Sequence, residues 1–373
     1  MADYATEATT DRETTPPDLA YRPQDPTEYD PGIGLVGCGG VTGAHLTAYR
    51  KAGYDVRALC DVDESAAEAR REEFYPDVDV YTDHEALLAR DDIAVVDVPT
   101  GPGPRPTLIA DAIRAGKHVL SQKPFVLDLD TGERLADLAD EHGVKLAVNQ
   151  NGRWAPQFAY LREAVAAGHL GQPQSVDFTI HWNHVETGTR HLLFDFAIHQ
   201  FDLIACLFPD RTPTSVSAHA AQAPARADDP PALVSMTVEY DDALATMTLD
   251  AGARHGGTDR TVVVGTEGTF VSSGPERPRA ANDPAPRWPW DEQTVSLHTD
   301  AGTATPALEG SWNPDGWHGA MAELLSAIAE DREPVHAGRD NLRSLELCYA
   351  AVESAERGAP VDPSDVDGLP EAE

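Results

Sequence analysis

Basic residues are scarce in this sequence. Its 373 residues contain 63 Asp and Glu against 28 Lys and Arg, which gives a formal net charge of −35, and four residues are lysine: Lys51, Lys117, Lys123 and Lys145. Nucleic acid and anionic membrane surfaces repel such a chain, so neither is expected as a partner. The acid is spread over the whole length, and we interpret it as adaptation to molar intracellular salt, which screens self-repulsion. An ordinary acidic protein is the alternative.

Long apolar runs and cysteine pairs are also missing. No stretch approaches the roughly 20 apolar residues that cross a bilayer, and the N-terminus has neither an apolar signal core nor a twin-arginine pair. The cysteines include no Cys-x-x-Cys pair and lie in apolar surroundings, which is typical of reduced thiols in a core. These absences predict a cytoplasmic protein without disulfides.

The patterns of strand and helix predict two domains. Residues 1–31 show no apolar periodicity and are expected to form a flexible acidic arm. In residues 32–150 short apolar strands alternate with helices, which predicts a Rossmann domain with a doubly wound parallel sheet. Residues 151–363 contain strand-like segments with tight connections such as 240–243, which predict a mostly antiparallel open sheet. Residues 364–373 read as an acidic tail, and the fold class is α/β plus α+β.

Further expectations concern the second domain. One helix is predicted at 194–208, and two helices at 316–330 and 339–357 close the domain. The stretches 222–231 and 274–292 read as Pro-rich surface loops. An open antiparallel sheet has one face that needs covering, so we expect a homodimer or homotetramer.

A glycine-rich turn follows the first predicted strand. Gly37 and Gly39 occupy the first two positions of the G-x-G-x-x-G pattern, Gly40 and Val41 continue the turn, and Thr42 stands at the third glycine position. Glycines let the backbone approach a ligand closely, and the N-terminus of the following helix offers unpaired N–H groups with a partial positive charge. The turn therefore predicts a dinucleotide site, although Thr42 departs from the pattern.

An acid at the end of the second predicted strand supports the same site. Asp61 follows the middle glycine by 22 residues (61 − 39), where a carboxylate accepts hydrogen bonds from the adenosine ribose and repels a 2′-phosphate. This spacing favours NAD over NADP as cofactor. A solvated helix cap is the alternative for Asp61, and Asp63 is a second candidate for the ribose. Thr100, Lys123 and Asn151 follow later strands and should converge on the crevice beside the nicotinamide.

Five ordered motifs run from Gly32 to about Asp362. They are the Gly37 turn followed by His45, Ala-Gly-Lys-His-Val-Leu-Ser-Gln-Lys-Pro at 115–124, Asn-Gly-Arg-Trp-Ala-Pro at 151–156, Asp-Phe-Ala-Ile-His-Gln-Phe-Asp at 195–202, and Gly-Arg-Asp at 338–340 leading into a helix that ends Ala-Glu-Arg-Gly. In this order and spacing they resemble the glucose-fructose oxidoreductase / inositol dehydrogenase / MocA family. The resemblance implies a nicotinamide-dependent oxidoreductase of sugars, polyols or related cyclic alcohols, with Lys123, Asp195 and His199 as its catalytic residues.

The residue types suit that chemistry. Oxidation of a secondary alcohol removes a hydroxyl proton as hydride leaves the carbon, and an imidazole such as His199 is a suitable base. Asp195 lies four residues earlier, on the same face of the predicted helix, where it could orient the ring or bind a substrate hydroxyl. Lys123 can stabilise developing alkoxide charge. The alternatives are a helix cap for Asp195 and a core histidine for His199.

Three more residues are candidates for substrate contact: Asn151, Arg153 and His318. Helix capping is the alternative for Asn151. No metal is expected, because four histidines of the second domain lack the spacing of a compact ligand set: His181, His184, His191 and His199.

The chain departs from the family pattern at three places. Gln122 replaces the usual Glu before Lys-Pro, residues 100–105 replace a Pro- and His-containing turn, and residues 190–192 replace a glycine-rich approach. We therefore expect unusual substrate recognition. The predicted function is an NAD-dependent dehydrogenase of a sugar, sugar derivative or polyol. A cofactor-binding sensor and a redox-neutral epimerase or glycosidase with transient oxidation by NAD are the alternatives.

Overall fold

Two sheets organise the two domains of this protein. The computed structural model describes residues 12–182, 188–224, 230–253, 255, 257–274 and 293–370. The predicted loop at 274–292 lies outside the described residues except for its first residue, as do His184, residues 225–229 of the other predicted loop, and the last three residues of the predicted tail.

The N-terminal domain is a six-stranded parallel sheet with the order β3-β2-β1-β4-β5-β6. Its strands are β1 Ile33–Val36, β2 Val56–Cys60, β3 Asp79–Tyr81, β4 Val95–Val98, β5 His118–Gln122 and β6 Leu146–Asn149. Its helices are α1 Thr42–Ala52, α2 Glu64–Phe74, α3 His84–Leu88, α4 Arg105–Arg114 and α5 Leu129–His142. Every residue of β1, β4 and β6 is buried, because helices cover both faces of the sheet. The predicted Rossmann architecture is confirmed, and the unpredicted β3 is a short edge strand.

The C-terminal domain contains an eight-stranded sheet with the order β14-β13-β12-β11-β7-β10-β9-β8. Its strands are β7 Pro173–His181, β8 Ser215–Ala221, β9 Leu233–Glu239, β10 Leu244–Asp250, β11 Thr258–Gly265, β12 Gly268–Ser273, β13 Thr294–Thr299 and β14 Gly302–Ala304. Its helices are α6 Pro156–Ala166, α7 Ile198–Leu207, α8 Trp312–Ala329 and α9 Gly338–Arg357. Only β7 and β10 pair in parallel among these strands, so the prediction of a mostly antiparallel sheet is confirmed.

One face of this sheet belongs to the core. Along β7, Val176, Phe178 and Ile180 are buried while the residues between them are half-buried, as expected for a sheet with one covered face. The closing helices return to the first domain, since α8 packs against α1 and α9 packs against α5. The two domains are therefore joined by packed helices as well as by the chain.

The chain termini differ from expectation. Residues 12–31 were expected to form a flexible arm, but they lie along both domains. Thr14 donates a backbone hydrogen bond to Thr303 at 2.8 Å, and Arg22 forms an ion pair with Glu309 at 2.8 Å. At the other end, the Leu369 N–H donates to the Leu127 carbonyl at 2.8 Å. Both terminal segments thus form backbone hydrogen bonds with the body of the protein, which composition alone does not reveal.

The predicted helix at 194–208 also differs. The chain forms a π-helical turn over His191–Phe196, and α7 starts only at Ile198. Asp195 and His199 therefore lie on separate helical segments rather than one turn apart on a single regular helix, and their separation in sequence does not place them on a common face.

Candidate active site

A cleft of about 570 Å³ opens at the carboxyl ends of the parallel strands. This is the edge at which doubly wound sheets bind their ligands. All seven residues predicted to bind the cofactor line the cleft, together with Asp195: Gly37, Gly39, Gly40, Val41, Asp61, Thr100 and Lys123.

The first position of the glycine turn does not tolerate a residue with a side chain. Gly37 has φ of +117°, and a Cβ there would lie 2.7 Å from Cγ2 of Thr100. Gly39 and Gly40 face open space, so their backbone is accessible from the cleft. Thr42 is buried and its hydroxyl donates to the Gly37 carbonyl at 2.8 Å, which closes the turn. The departure from the third glycine is thus a hydrogen-bonded feature of the turn.

The N-terminus of α1 is free of competing anions. No side chain caps this helix, and no acid lies in its first turn, whereas Asp63, Asp83 and Asp128 cap α2, α3 and α5. The first turn of α1 therefore carries no carboxylate that would repel an anion, although the chain has 63 acidic residues. The N–H groups and the helix dipole suit a pyrophosphate.

Asp61 is fixed against the turn. Its carboxylate accepts hydrogen bonds from the backbone N–H groups of Cys38 at 2.7 Å and Asp63 at 2.9 Å. Asp63 caps α2 by accepting from the Ser65 N–H, whereas Asp61 is bonded to the glycine turn. Arg70, which the sequence reasoning missed, reaches over from α2 and donates to the Gly39 carbonyl at 3.0 Å.

Lys123 and Asp195 meet across the cleft, one from each domain. The Lys123 ammonium donates to the Asp195 carbonyl at 2.6 Å and to its carboxylate at 3.1 Å. The lysine side chain is 18% exposed and that of the aspartate 53%. Burial lowers the pKa of Lys123, and the attraction of Asp195 opposes that shift. The Asp195 carboxylate therefore holds Lys123 in place. The sequence suggested that Asp195 could orient the His199 ring, but among the described residues no hydrogen bond joins these two side chains.

His199 lies near enough to Lys123 for the lysine charge to affect its pKa, but it is not among the residues that line the cleft. Its ring lies edge-on to Trp312 with centroids 5.4 Å apart, and its Nδ1 is buried without a hydrogen-bond partner beside Gly152. Burial, and then the positive charge of Lys123, hold the pKa of His199 well below its usual value. The imidazole is therefore neutral near pH 7 and has a free lone pair.

The three residues predicted to contact substrate lie elsewhere. Asn151 is buried, and its side-chain oxygen accepts from the Trp312 indole at 2.7 Å, so it supports the ring beside His199. Arg153 is 3% exposed and is paired with Asp202. His318 pairs with Asp25 at 2.9 Å in a separate cavity of about 120 Å³. None of the three lines the cleft, and the positions of Arg153 and His318 do not fit a substrate contact there.

Within the described ranges, no group of three or more His, Cys, Asp or Glu residues has the arrangement of a metal site. No helix among these residues has both the length and the apolar character to traverse a bilayer.

Comparison with known proteins identifies the architecture. Residues 32–150 match the model of an oxidoreductase family with an NAD-binding Rossmann fold, and residues 158–271 match the Gfo/Idh/MocA C-terminal domain. The chain belongs to the Gfo/Idh/MocA family. It is an oxidoreductase with an NAD-binding N-terminal domain, as the glycine turn and Asp61 predicted.

Several members of the Gfo/Idh/MocA family are similar along most of this chain. D-apiose dehydrogenase of Paraburkholderia graminis is 27% identical over 88% of each chain. Myo-inositol dehydrogenase Hyg17 of Streptomyces leeuwenhoekii is 27% identical over 89% of this chain and 99% of its own. A crystal structure of an Agrobacterium radiobacter oxidoreductase with NAD+, L-tartaric acid and magnesium has a TM-score of 0.75 at 19% identity, covering 90% of this chain and 99% of that one. At that identity the structural likeness supports the fold alone.

Gln122, one departure from the family pattern, belongs to a buried network behind Lys123. Its side-chain oxygen accepts from the Lys123 N–H at 2.6 Å, and its NH2 group contacts Nε2 of His45 at 3.0 Å. Nδ1 of His45 contacts Asp97 at 2.7 Å, and the Tyr49 hydroxyl donates to the same carboxylate at 2.6 Å. A backbone N–H only donates, so the orientation of the Gln122 amide is determined and its NH2 group faces His45 Nε2.

Arg105 is a second cleft residue that the sequence reasoning missed as a candidate. It is 1% exposed, starts α4 and lines the cleft beside Lys123. A cation in the first turn of a helix opposes the helix dipole, and this unfavourable placement between Pro104 and Pro106 is the signal that could have identified it.

Proposed function

We propose that this Gfo/Idh/MocA oxidoreductase transfers hydride between NAD and a secondary alcohol carbon of a sugar, sugar derivative or polyol. The observation that carries the proposal is the Lys123–Asp195 pair beside a neutral His199, next to a glycine turn with an uncapped helix N-terminus. D-apiose and myo-inositol dehydrogenases among the relatives support the substrate class.

The residues present fit the cofactor. The open backbone at Gly39 and Gly40 leaves room for a pyrophosphate at the α1 N-terminus, and the Asp61 carboxylate borders the same cleft for the ribose. An acid at that position disfavours a 2′-phosphate, which supports NAD over NADP. When bound, the nicotinamide supplies the hydride acceptor or donor.

The protein's own groups would handle the proton. His199, held neutral by burial and by Lys123, accepts the hydroxyl proton through a ring nitrogen as the alcohol is oxidised. The Lys123 ammonium donates a hydrogen bond to the same oxygen and stabilises the negative charge that develops on it. Asp195 holds the lysine in place through its carbonyl and carboxylate.

NADH formation over a panel of sugars and polyols, starting with D-apiose and myo-inositol, tests the proposal. On the best substrate we expect His199→Ala to lower kcat on the order of 10²- to 10⁴-fold, the usual contribution of a general base. His298→Ala, at an exposed strand position, is the matched control and should retain full activity. Full turnover by His199→Ala would refute the assignment of the base.

Two other outcomes would replace the proposal. Tight NAD binding without turnover of any substrate would indicate a sensor protein. Product formation without net NADH, by protein that copurifies with cofactor, would indicate redox-neutral chemistry such as epimerisation or glycoside cleavage. We further propose that the protein works as a cytoplasmic homo-oligomer in molar salt, which the net charge of −35 and the sheet with one covered face support.

A further inference from the structure

Two arginines are buried among the described residues, and their surroundings differ. Arg153, 3% exposed, is neutralised by Asp202 at 2.7 Å and by Asp340 at 2.8 Å. Arg105, 1% exposed, has no carboxylate of the described residues within 4 Å. Burial of an unpaired charge is costly, and a guanidinium cannot lose its proton to avoid that cost.

The partners of Arg105 are neutral. Its terminal nitrogens donate to the carbonyls of Thr100 and Pro124, and its Nε is buried without a partner. Carbonyls alone can hold a buried cation, as those of Arg90 and Ile93 hold Lys117. Arg105 differs from that case because it lines the cleft and retains donors that no protein group accepts.

The charges around Arg105 leave this part of the cleft positive. Arg105 lies close enough to Lys123 for its charge to lower the pKa of the lysine, and the attraction of Asp195 raises the pKa of both residues. That single carboxylate is half exposed and already hydrogen-bonded to Lys123. In a chain with a net charge of −35, an end of the cleft with two cations and one carboxylate is the reverse of the general surface, and the other acid of the lining, Asp61, lies at the glycine turn.

We propose that Arg105 receives a carboxylate of the substrate, so that the protein acts on an acidic sugar or polyol, such as a uronate or an aldonate, in preference to its neutral counterpart. A guanidinium binds a carboxylate through a charge-assisted, often bidentate pair. One unpaired cation matches one negative charge, whereas a phosphate dianion would need more. The Arg105 guanidinium donates to the carbonyl of Pro124, the residue after Lys123, and both cations line the same cleft. A substrate whose hydroxyl meets Lys123 would therefore place a carboxylate toward Arg105. The inference rests on the proposed function.

Matched substrate pairs test it. Each pair consists of a sugar and its uronic acid with the same stereochemistry, assayed with NAD at equal ionic strength because salt screens the interaction. For the wild type we expect kcat/KM to favour the acid by about 10- to 100-fold, the worth of one charged hydrogen-bonded pair. In Arg105→Gln this preference should disappear, mostly through KM, and Arg105→Lys should retain part of it. Arg114→Gln, an exposed site on the same helix, should leave the preference unchanged.

The readout is the ratio of kcat/KM for the acid to kcat/KM for the sugar. If Arg105 had only a structural role, its substitution would not change this ratio. Equal loss on both members, or a wild type that turns over sugars without preferring the acid, would overturn the inference and leave the proposed function standing. Fluorescence titration with NADH distinguishes a role of Arg105 in cofactor binding from one in substrate binding. If Arg105→Gln weakened NADH binding and acid binding equally, the inference would also be overturned.

Calorimetric binding of the uronate and its sugar to the NADH complex gives a readout that does not need turnover. If no substrate reacts but the wild type binds the uronate at least about 10-fold more tightly than the sugar, and Arg105→Gln does not, the carboxylate site stands while the proposed dehydrogenase function fails. Should Arg105→Gln not fold, the wild-type preference and Arg105→Lys decide in the same way.

Discussion

At the scale of single residues, opposing charges in the cleft set two protonation states. Burial and the Lys123 cation lower the pKa of His199, which keeps a base available, while Asp195 counteracts the effect of burial on Lys123. A low pKa favours the neutral ring that the proposed base needs, and Asp195 favours the charged form that the proposed role of Lys123 needs. The effect of Asp195 on Lys123 comes from a salt bridge between the two domains.

A pH profile of kcat/KM follows from these shifts. Protonation of His199 removes the base, so activity should fall on the acid side with an apparent pKa below the usual histidine value of about 6.5. Loss of the Lys123 proton should make kcat/KM fall on the alkaline side, with an apparent pKa below the usual lysine value. Because Asp195 raises the pKa of Lys123, Asp195→Asn should move the alkaline limb to lower pH. An unmoved alkaline limb in this variant would contradict the pairing.

Gln122 provides another prediction at this scale. In Gln122→Glu a carboxylate oxygen would replace the NH2 group that faces His45 Nε2, and that buried hydrogen bond would be lost. We expect a loss of about 1–3 kcal/mol in unfolding free energy, measured by urea denaturation. Gln172→Glu makes the same change at an exposed site and should have little effect. A Gln122→Glu variant as stable as the wild type would argue against the network.

At the scale of elements, regular structure was predictable and its interruptions were not. The alternation of short, mostly apolar segments with helices identified β1, β2, β4, β5 and β6. The π-helical turn at His191–Phe196 has no such signature, so the prediction joined it to α7. That difference changed the partner of Asp195 from His199 to Lys123, a contact between domains that no local pattern encodes.

The glycine turn gives a prediction for an element. Gly37→Ala adds a Cβ at positive φ and 2.7 Å from Thr100, so we expect the turn to shift and NADH binding, measured by fluorescence, to weaken by more than about 10-fold. Gly53→Ala is the matched control: φ is +82° but nothing lies within 4 Å of its Cβ. It should cost about 1 kcal/mol of stability and leave NADH affinity unchanged. Unchanged affinity in Gly37→Ala would exclude this turn as the cofactor site.

At the scale of the whole molecule, the order of motifs predicted the two-domain architecture, but burial decided which polar residues reach the cleft. Arg153 and His318 carried the expected chemistry in sequence, yet their partners Asp202 and Asp25 are far away along the chain. Arg105 was overlooked because it is a candidate only through the absence of a carboxylate partner, which the sequence does not show. Apolar periodicity predicts local structure, but it does not predict which side chains pair when they are far apart in the sequence.

The net charge of −35 makes a prediction for the entire fold. Two electrostatic effects oppose each other when salt is added: repulsion among the excess acids weakens, and so do the exposed ion pairs such as Arg339 with Asp137. Exposed pairs contribute only about 0–1 kcal/mol each, whereas 35 acids have no basic counterpart (63 − 28), so relief of repulsion should dominate. We therefore expect Tm to rise steeply from about 0.1 M KCl, where the Debye length is about 10 Å, and to level off near about 1 M, where it is about 3 Å. Sucrose, which strengthens burial without screening, should give a gradual rise with no plateau. A Tm independent of KCl over this range would show that the acidic surface is not an adaptation to salt.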